Sequence, residues 1–198
     1  MSSDNRAALP SHSDILAGVA HYRKLARERP RASEIIQPTA NQYSVWSFPR
    51  PPEIRSVERT LRVSWAGEII GKTASALSVI ETAGAPVYFF PPHDFRQDLL
   101  VKADHVTLCE WKGAAMHFDL TLENRRATHA AFCYPDPLTD LGQGYERIAG
   151  WYAFYPARVD RCFVGDDEVT PQPGGYYAGW VTPQVTGPFK GGAGTKKW

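Results

Sequence analysis

The sequence predicts a mainly β protein with one amphipathic helix ahead of the sheets and an extended tail behind them. Three observations carry that expectation. From Leu61 onward the apolar residues alternate, with Leu61, Val63 and Trp65 set against Arg62 and Ser64, which is the period of a half-buried strand. The 198 residues include 16 Gly and 16 Pro alongside 12% aromatics and six Trp, a mixture that favours short strands and turns. Before Arg59 the period is instead helical, with Ile15, Val19, Tyr22 and Leu25/Ala26 on one stripe.

Taken in order, residues 1–12 read as a disordered tail. Ser13 or Asp14 caps a helix running to about Arg29, and Pro30 ends it. Its basic run (Arg23, Lys24, Arg27, Arg29, Arg31) reads as a solvated face. Residues 32–58, with Pro38, Pro49, Pro51 and Pro52, form an extended linker in which Trp46 and Phe48 anchor onto the next domain. The division is therefore 1–42 for the tail and helix, 43–170 for a β domain, and 171–198 for a Gly/Pro-rich extension.

Within the β domain, Leu61–Trp65 turns at Ala66-Gly67 into Glu68–Lys72. Ala76–Glu81 and Pro86–Phe90 are further strands, and Asp94 to Leu108 is a connector with a helical turn at its start. Ala115–Leu122 and Ala127–Tyr134 make a hairpin around Asn124-Arg125. That register sets Leu120 against His129, Phe118 against Ala131 and Met116 against Cys133, leaving His117 beside Phe132 and Asp119 beside Ala130 on the other face. Tyr145–Ala149 reads as one helical turn, Gly150–Pro156 and Arg158–Val164 as strands, and Gly165–Glu168 as a turn. The tail cannot build a core of its own. Its aromatics pin it along the domain or onto a second subunit, so the helix and the tail are the candidate homodimer contacts.

A net charge of +1 gives no electrostatic case for a nucleic-acid or anionic-membrane partner. Three cysteines without a CxxC pair suit a reducing, cytoplasmic setting. The first residues lack a signal-peptide apolar run, and no stretch has the length of a membrane span. No cofactor is expected.

Four constellations bear on chemistry. Ala66 to Thr73 fits the loose phosphate-loop pattern and ends in Gly-Lys-Thr, but two β-branched residues and a carboxylate occupy the supposed loop, so a hairpin strand is the better reading. The six histidines never fall into a ligand spacing, so no metal is expected. Cys109 is a candidate nucleophile because Lys112 lies close enough to favour a thiolate. Finally, Glu81, Tyr88, Phe90, Trp111, Lys112 and Tyr155 form a candidate pocket. Tyr88 and Phe90 share a strand face and make an aromatic wall with Trp111, and Glu81 and Lys112 fix polarity for an unknown small molecule.

The phrases WSFPRPP (Trp46–Pro52), VSWAGEII (Val63–Ile70), ALSVIETAGAPVYFFP (Ala76–Pro91), CEWKGA (Cys109–Ala114), AFCYP (Ala131–Pro135) and IAGWYAFYPARV (Ile148–Val159) occur in that order. Together they resemble the domain of unknown function 427 family, over roughly residues 43–170. The resemblance implies a β-tent-like fold, two small antiparallel sheets meeting at an angle around a cleft. Similar architectures include zinc-bearing modules with aromatic cages and a cysteine-based sulfoxide reductase. This chain lacks their paired CxxC knuckles, so zinc does not carry over. Some family members bear the label nucleotidyltransferase, but no Gly-Ser followed by a spaced Asp-x-Asp is present here to hold the metals of that reaction. The leading expectation is a non-catalytic small-ligand binding module, with a Cys109-based enzyme as the alternative.

Overall fold

The structure is a computed structural model that describes residues 9–28, 32–195 and 198. Helix α1 (His12–Arg27) is capped by Ser11, whose hydroxyl accepts a hydrogen bond from the Asp14 amide at 3.2 Å. The cap thus lies two residues before the nearer of the two expected, because only Ser11 reaches the free amides of the first turn. The expected end at Arg29-Pro30, and most of the expected N-terminal tail, fall outside the described residues. Ile15 and Val19 are buried against Ala114 and Leu138. Arg23 departs from its solvated basic run. It is buried, and its guanidinium donates to the Glu110 carbonyl at 2.5 Å and to Asp140 at 2.5 and 3.1 Å.

Eleven strands form the body: β1 (Glu53–Ser56), β2 (Leu61–Trp65), β3 (Glu68–Thr73), β4 (Leu77–Glu81), β5 (Gly84–Phe90), β6 (Leu100–Cys109), β7 (Gly113–Leu122), β8 (Arg125–Cys133), β9 (Tyr152–Phe154), β10 (Arg161–Val164) and β11 (Asp167–Glu168). Seven of them make one antiparallel sheet in the order β1-β4-β5-β9-β8-β7-β6, and four make a second in the order β11-β10-β2-β3. The mainly β architecture with one leading helix is as the sequence predicts. The inward-facing Leu61, Val63 and Trp65 of the small sheet meet Phe90, Phe118, Leu120 and Phe154 of the large one in a single apolar core.

Three differences from expectation matter. Residues 100–109 form a ten-residue edge strand where a connector was expected. An edge strand partly exposed on both faces shows no alternation, so its period is silent. The β7–β8 turn is Glu123-Asn124 rather than Asn124-Arg125, since Leu122 pairs with Arg125. A bulge then restores the expected partners, Phe118 with Ala131 and Met116 with Cys133, while Leu120 faces Ala127 instead of His129. Gly71-Lys72-Thr73 lies on β3 and not in a loop. A Cβ at Gly71 would come within 3.1 Å of the Phe95 Cβ, so close strand packing accounts for the glycine.

The last segment runs along its own domain. Thr170–Pro171 pairs with Trp180–Val181, and Val185–Thr186 pairs with Tyr43–Ser44. Trp180 is fully buried in the core, where its indole donates to the Phe154 carbonyl at 3.0 Å and its ring lies 5.2 Å from that of Tyr88. Trp46, an expected anchor, donates to the Pro188 carbonyl at 2.9 Å. Because Trp180 is the large apolar side chain that the tail buries fully in the core, Trp180→Ala should cost about 3–5 kcal/mol in urea unfolding. A loss below about 1 kcal/mol would mean that the tail merely lies on a domain already complete.

Candidate functional site

The space between the two sheets is filled by side chains. The cavity lies on the opposite face of the seven-stranded sheet, with a volume of about 290 Å³, near the lower end for ligand pockets. Strand alternation decides which residues reach it. On β5, Val87 and Phe89 point into the cavity while Tyr88 and Phe90 point into the core, where Phe90 meets Phe154 at 5.5 Å. Tyr88 and Phe90 do share a face, as the sequence indicates, but it is the core face. Burial on both sides of β5 leaves its pattern without a polar side to tell the faces apart. Trp111 is also displaced from the expected wall. Its ring is fully buried beside Tyr145 and Ile148, and its indole nitrogen has no hydrogen-bond partner among the described residues.

Glu81, Cys109, Lys112 and Tyr155 do line the cavity. Phe89, Phe132 and Tyr134 form an aromatic floor, with Phe89 and Phe132 edge to face at 5.8 Å. Tyr176, Tyr177 and Ala178 of the tail form the roof.

At one end sits Glu81, with the Lys190 ammonium at 3.0 Å and Arg50 Nε at 3.6 Å. Burial works against the Glu81 charge, yet Lys190, followed by Lys112, holds its carboxyl below the ordinary range. Lys112 is only 7% exposed. It sits on the Glu110–Lys112 turn that links β6 to β7, closed by Cys109 opposite Gly113. Gly113 adopts φ +91 against Leu138, a conformation that favours glycine. Burial disfavours the Lys112 charge, but Cys109 and then Glu81 more than offset it, and its pKa is raised. Lys112 is therefore an ammonium ion at neutral pH.

At the other end three imidazoles converge. His105 on β6 stacks on His129 at 4.5 Å and lies 4.6 Å from His117 on β7. Thr107 Oγ1 bonds His117 Nε2 at 2.9 Å, and His117 Nδ1 is buried without a partner among the described residues. The β8 bulge brings His129 into this group. Asp119, almost fully buried, accepts the His129 amide at 2.6 Å and pairs with Arg126, holding His129 at φ +50. Arg158 closes this end by stacking on Tyr155 at 4.0 Å and donating to the carbonyls of His129 at 2.7 Å and Gly175 at 3.1 Å. Burial, together with His105, His129 and Arg158, pushes His117 down to about 4.

The sequence reading set these histidines aside as scattered. Their even spacing at 105, 117 and 129 along consecutive antiparallel strands was the available signal, and it needed β6 to be recognised as a strand. Among the described residues no group of three or more His, Cys, Asp or Glu is arranged to hold a metal ion. The carboxylates of the Gly165–Glu168 turn lie outside the cavity and are used structurally, with Asp167 paired to Arg59 at 2.8 Å and Glu168 to Arg161 at 2.7 Å.

A family model described as "Domain of unknown function (DUF427)" matches residues 53–165. The chain belongs to the DUF427 family. The DUF427 match spans β1 to β10 and so contains the floor, the imidazoles, Glu81, Cys109, Lys112 and Arg158. The roof and Lys190 lie beyond it. No curated protein matches the chain.

The burial of His117 has a consequence in acid. An unfolded histidine titrates near 6.5, whereas His117 in the fold titrates at about 4. Between those values the unfolded chain holds the extra proton, so stability falls as pH drops through the window and levels off above it. The lowered pKa of His129 acts in the same sense, burial being its main cause. The fall in Tm from pH 7 to pH 4.5 should therefore be several degrees smaller in His117→Gln than in the wild type. Parallel profiles would show that the imidazole at 117 is solvated.

Proposed function

We propose that this DUF427 protein is a cytoplasmic small-ligand binding module. The two antiparallel sheets support a β-tent-like reading of its frame, with the binding site on the outer face of the larger sheet. The observation that carries the proposal is the cavity itself: an aromatic floor, an enclosing roof from the tail, and a few polar groups converging from both ends. Three free thiols support a reducing compartment. No helix among the described residues is long and apolar enough to cross a membrane.

A metabolite screen by thermal shift tests this reading. Ligands that raise Tm in the wild type should lose the effect in Val87→Trp, whose indole fills the cavity from β5. Shifts of equal size in that variant would place binding elsewhere and defeat the proposal.

A second reading rests on Cys109, which is partly exposed, opens into the same cavity and lies beside Lys112. In this reading Cys109 is the nucleophile and the neighbouring Lys112 ammonium is the group that assists it. Iodoacetamide alkylation, in which the sulfur displaces iodide, should be several-fold faster at Cys109 than at the buried Cys133 and Cys162, and should slow in Lys112→Met. Equal rates in the two proteins would remove Lys112 from any thiol chemistry.

A further inference from the structure

Lys112 lines the cavity as a buried cation that has no carboxylate in direct contact. A buried ammonium ion is costly unless an anion or several acceptors surround it. The nearby carboxylate of Glu81 is engaged by Lys190 at 3.0 Å. Among the described residues no carboxylate oxygen lies within ion-pair distance of the Lys112 ammonium, and the side chain that hydrogen-bonds it is Cys109. Its closest aromatic neighbours, Tyr134 at 5.7 Å and Tyr145 at 6.0 Å, offer ring faces only. The thiol of Cys109 is a weak acceptor.

The rest of the lining carries the same sign. Lys112, Lys190 and Arg158 face two carboxylates, Glu81 and Glu110, and among the described residues the partners of Arg158 are backbone carbonyls and the Tyr155 ring. The imidazole end adds no negative charge. Between the two ends lies the apolar floor of Phe89 and Phe132.

We infer that the cavity takes a small acid: a compact apolar or aromatic body on the Phe89–Phe132 floor, carrying one carboxylate or phosphate group bound by Lys112. This rests on the binding reading above and narrows it to a ligand class. A charge-assisted bond gives the Lys112 ammonium an oxyanion in direct contact. Benzoate, phenyl phosphate and the neutral isostere benzamide are suitable probes, with dissociation constants taken from chemical-shift titrations of isotope-labelled full-length protein.

Benzoate or phenyl phosphate should bind about tenfold more tightly than benzamide, and whichever acid binds better identifies the natural headgroup as carboxylate or phosphate monoester. Lys112→Met should abolish the preference for the acid and leave benzamide binding within about twofold; Lys112→Arg should retain part of it. The wild-type comparison needs no variant, so the outcome is decided even if Lys112→Met fails to fold. Equal affinity for benzoate, phenyl phosphate and benzamide overturns the inference, as does an acid preference undiminished in Lys112→Met. If that equal binding is lost in Val87→Trp, the cavity still binds ligands and only its charge preference has failed. If none of the three probes binds, both the inference and the binding reading fall.

Discussion

The central strands of the large sheet are buried on both faces, and most of the architecture answers that one constraint. Phe89 and Phe90, neighbours on β5, are both fully buried, as are Ala153 and Phe154 on β9. A sheet of this kind must be covered twice. The four-stranded sheet covers one side, with Trp180 of the tail packed into the same core. The other is covered in pieces, by α1, by the Trp111 turn and by the tail, and pieces do not tile a twisted surface without a gap. The cavity is that gap, floored by the apolar residues that the sheet would otherwise have to hide.

Within the gap, charge is arranged and not merely tolerated. Glu81 sits between Lys190 and Arg50 and so is answered from two sides. Lys112 keeps its proton despite burial because Cys109 and Glu81 lie near it, yet neither is placed to neutralise it fully. The imidazole end follows a different rule. There, three rings crowd together and burial favours the neutral forms of His117 and His129, which present flat, polarisable walls with hydrogen-bonding edges. One end of the site thus holds a paired carboxylate and ammonium, and the other sets imidazoles beside the Arg158 guanidinium.

Much of the frame was legible in the sequence. The alternation of Leu61, Val63 and Trp65, the turn at Ala66-Gly67 and the hairpin partners Met116–Cys133 and Phe118–Ala131 stand where periodicity set them. The anchoring of Trp46 was legible as well. The site was half legible. Glu81, Cys109, Lys112 and Tyr155 meet in the cavity, but Tyr88, Phe90 and Trp111 lie in packed interior. Alternation tells which residues share a face; it does not tell which face is hollow when both are apolar. The histidine cluster stayed hidden for two reasons: its outer strand is an edge without a hydrophobic rhythm, and His129 reaches the group only through a bulge. That bulge is held by Asp119, which a regular ladder would have set beside Ala130.

Gln172 deserves a last consideration because it couples two parts of the molecule that share no strand. Its side-chain oxygen accepts the Ala85 amide at 2.8 Å, and its side-chain nitrogen donates to the Lys190 carbonyl at 2.9 Å. One side chain thereby clips the ceiling of the chamber to the rim of the sheet and fixes the base that balances Glu81. Ceiling and base belong to the same trailing segment, so a change in that segment's length alters the height of the chamber and its charge together. A shorter segment on the same sheets would turn a roofed box into an open, more acidic trough, without altering a residue of the floor.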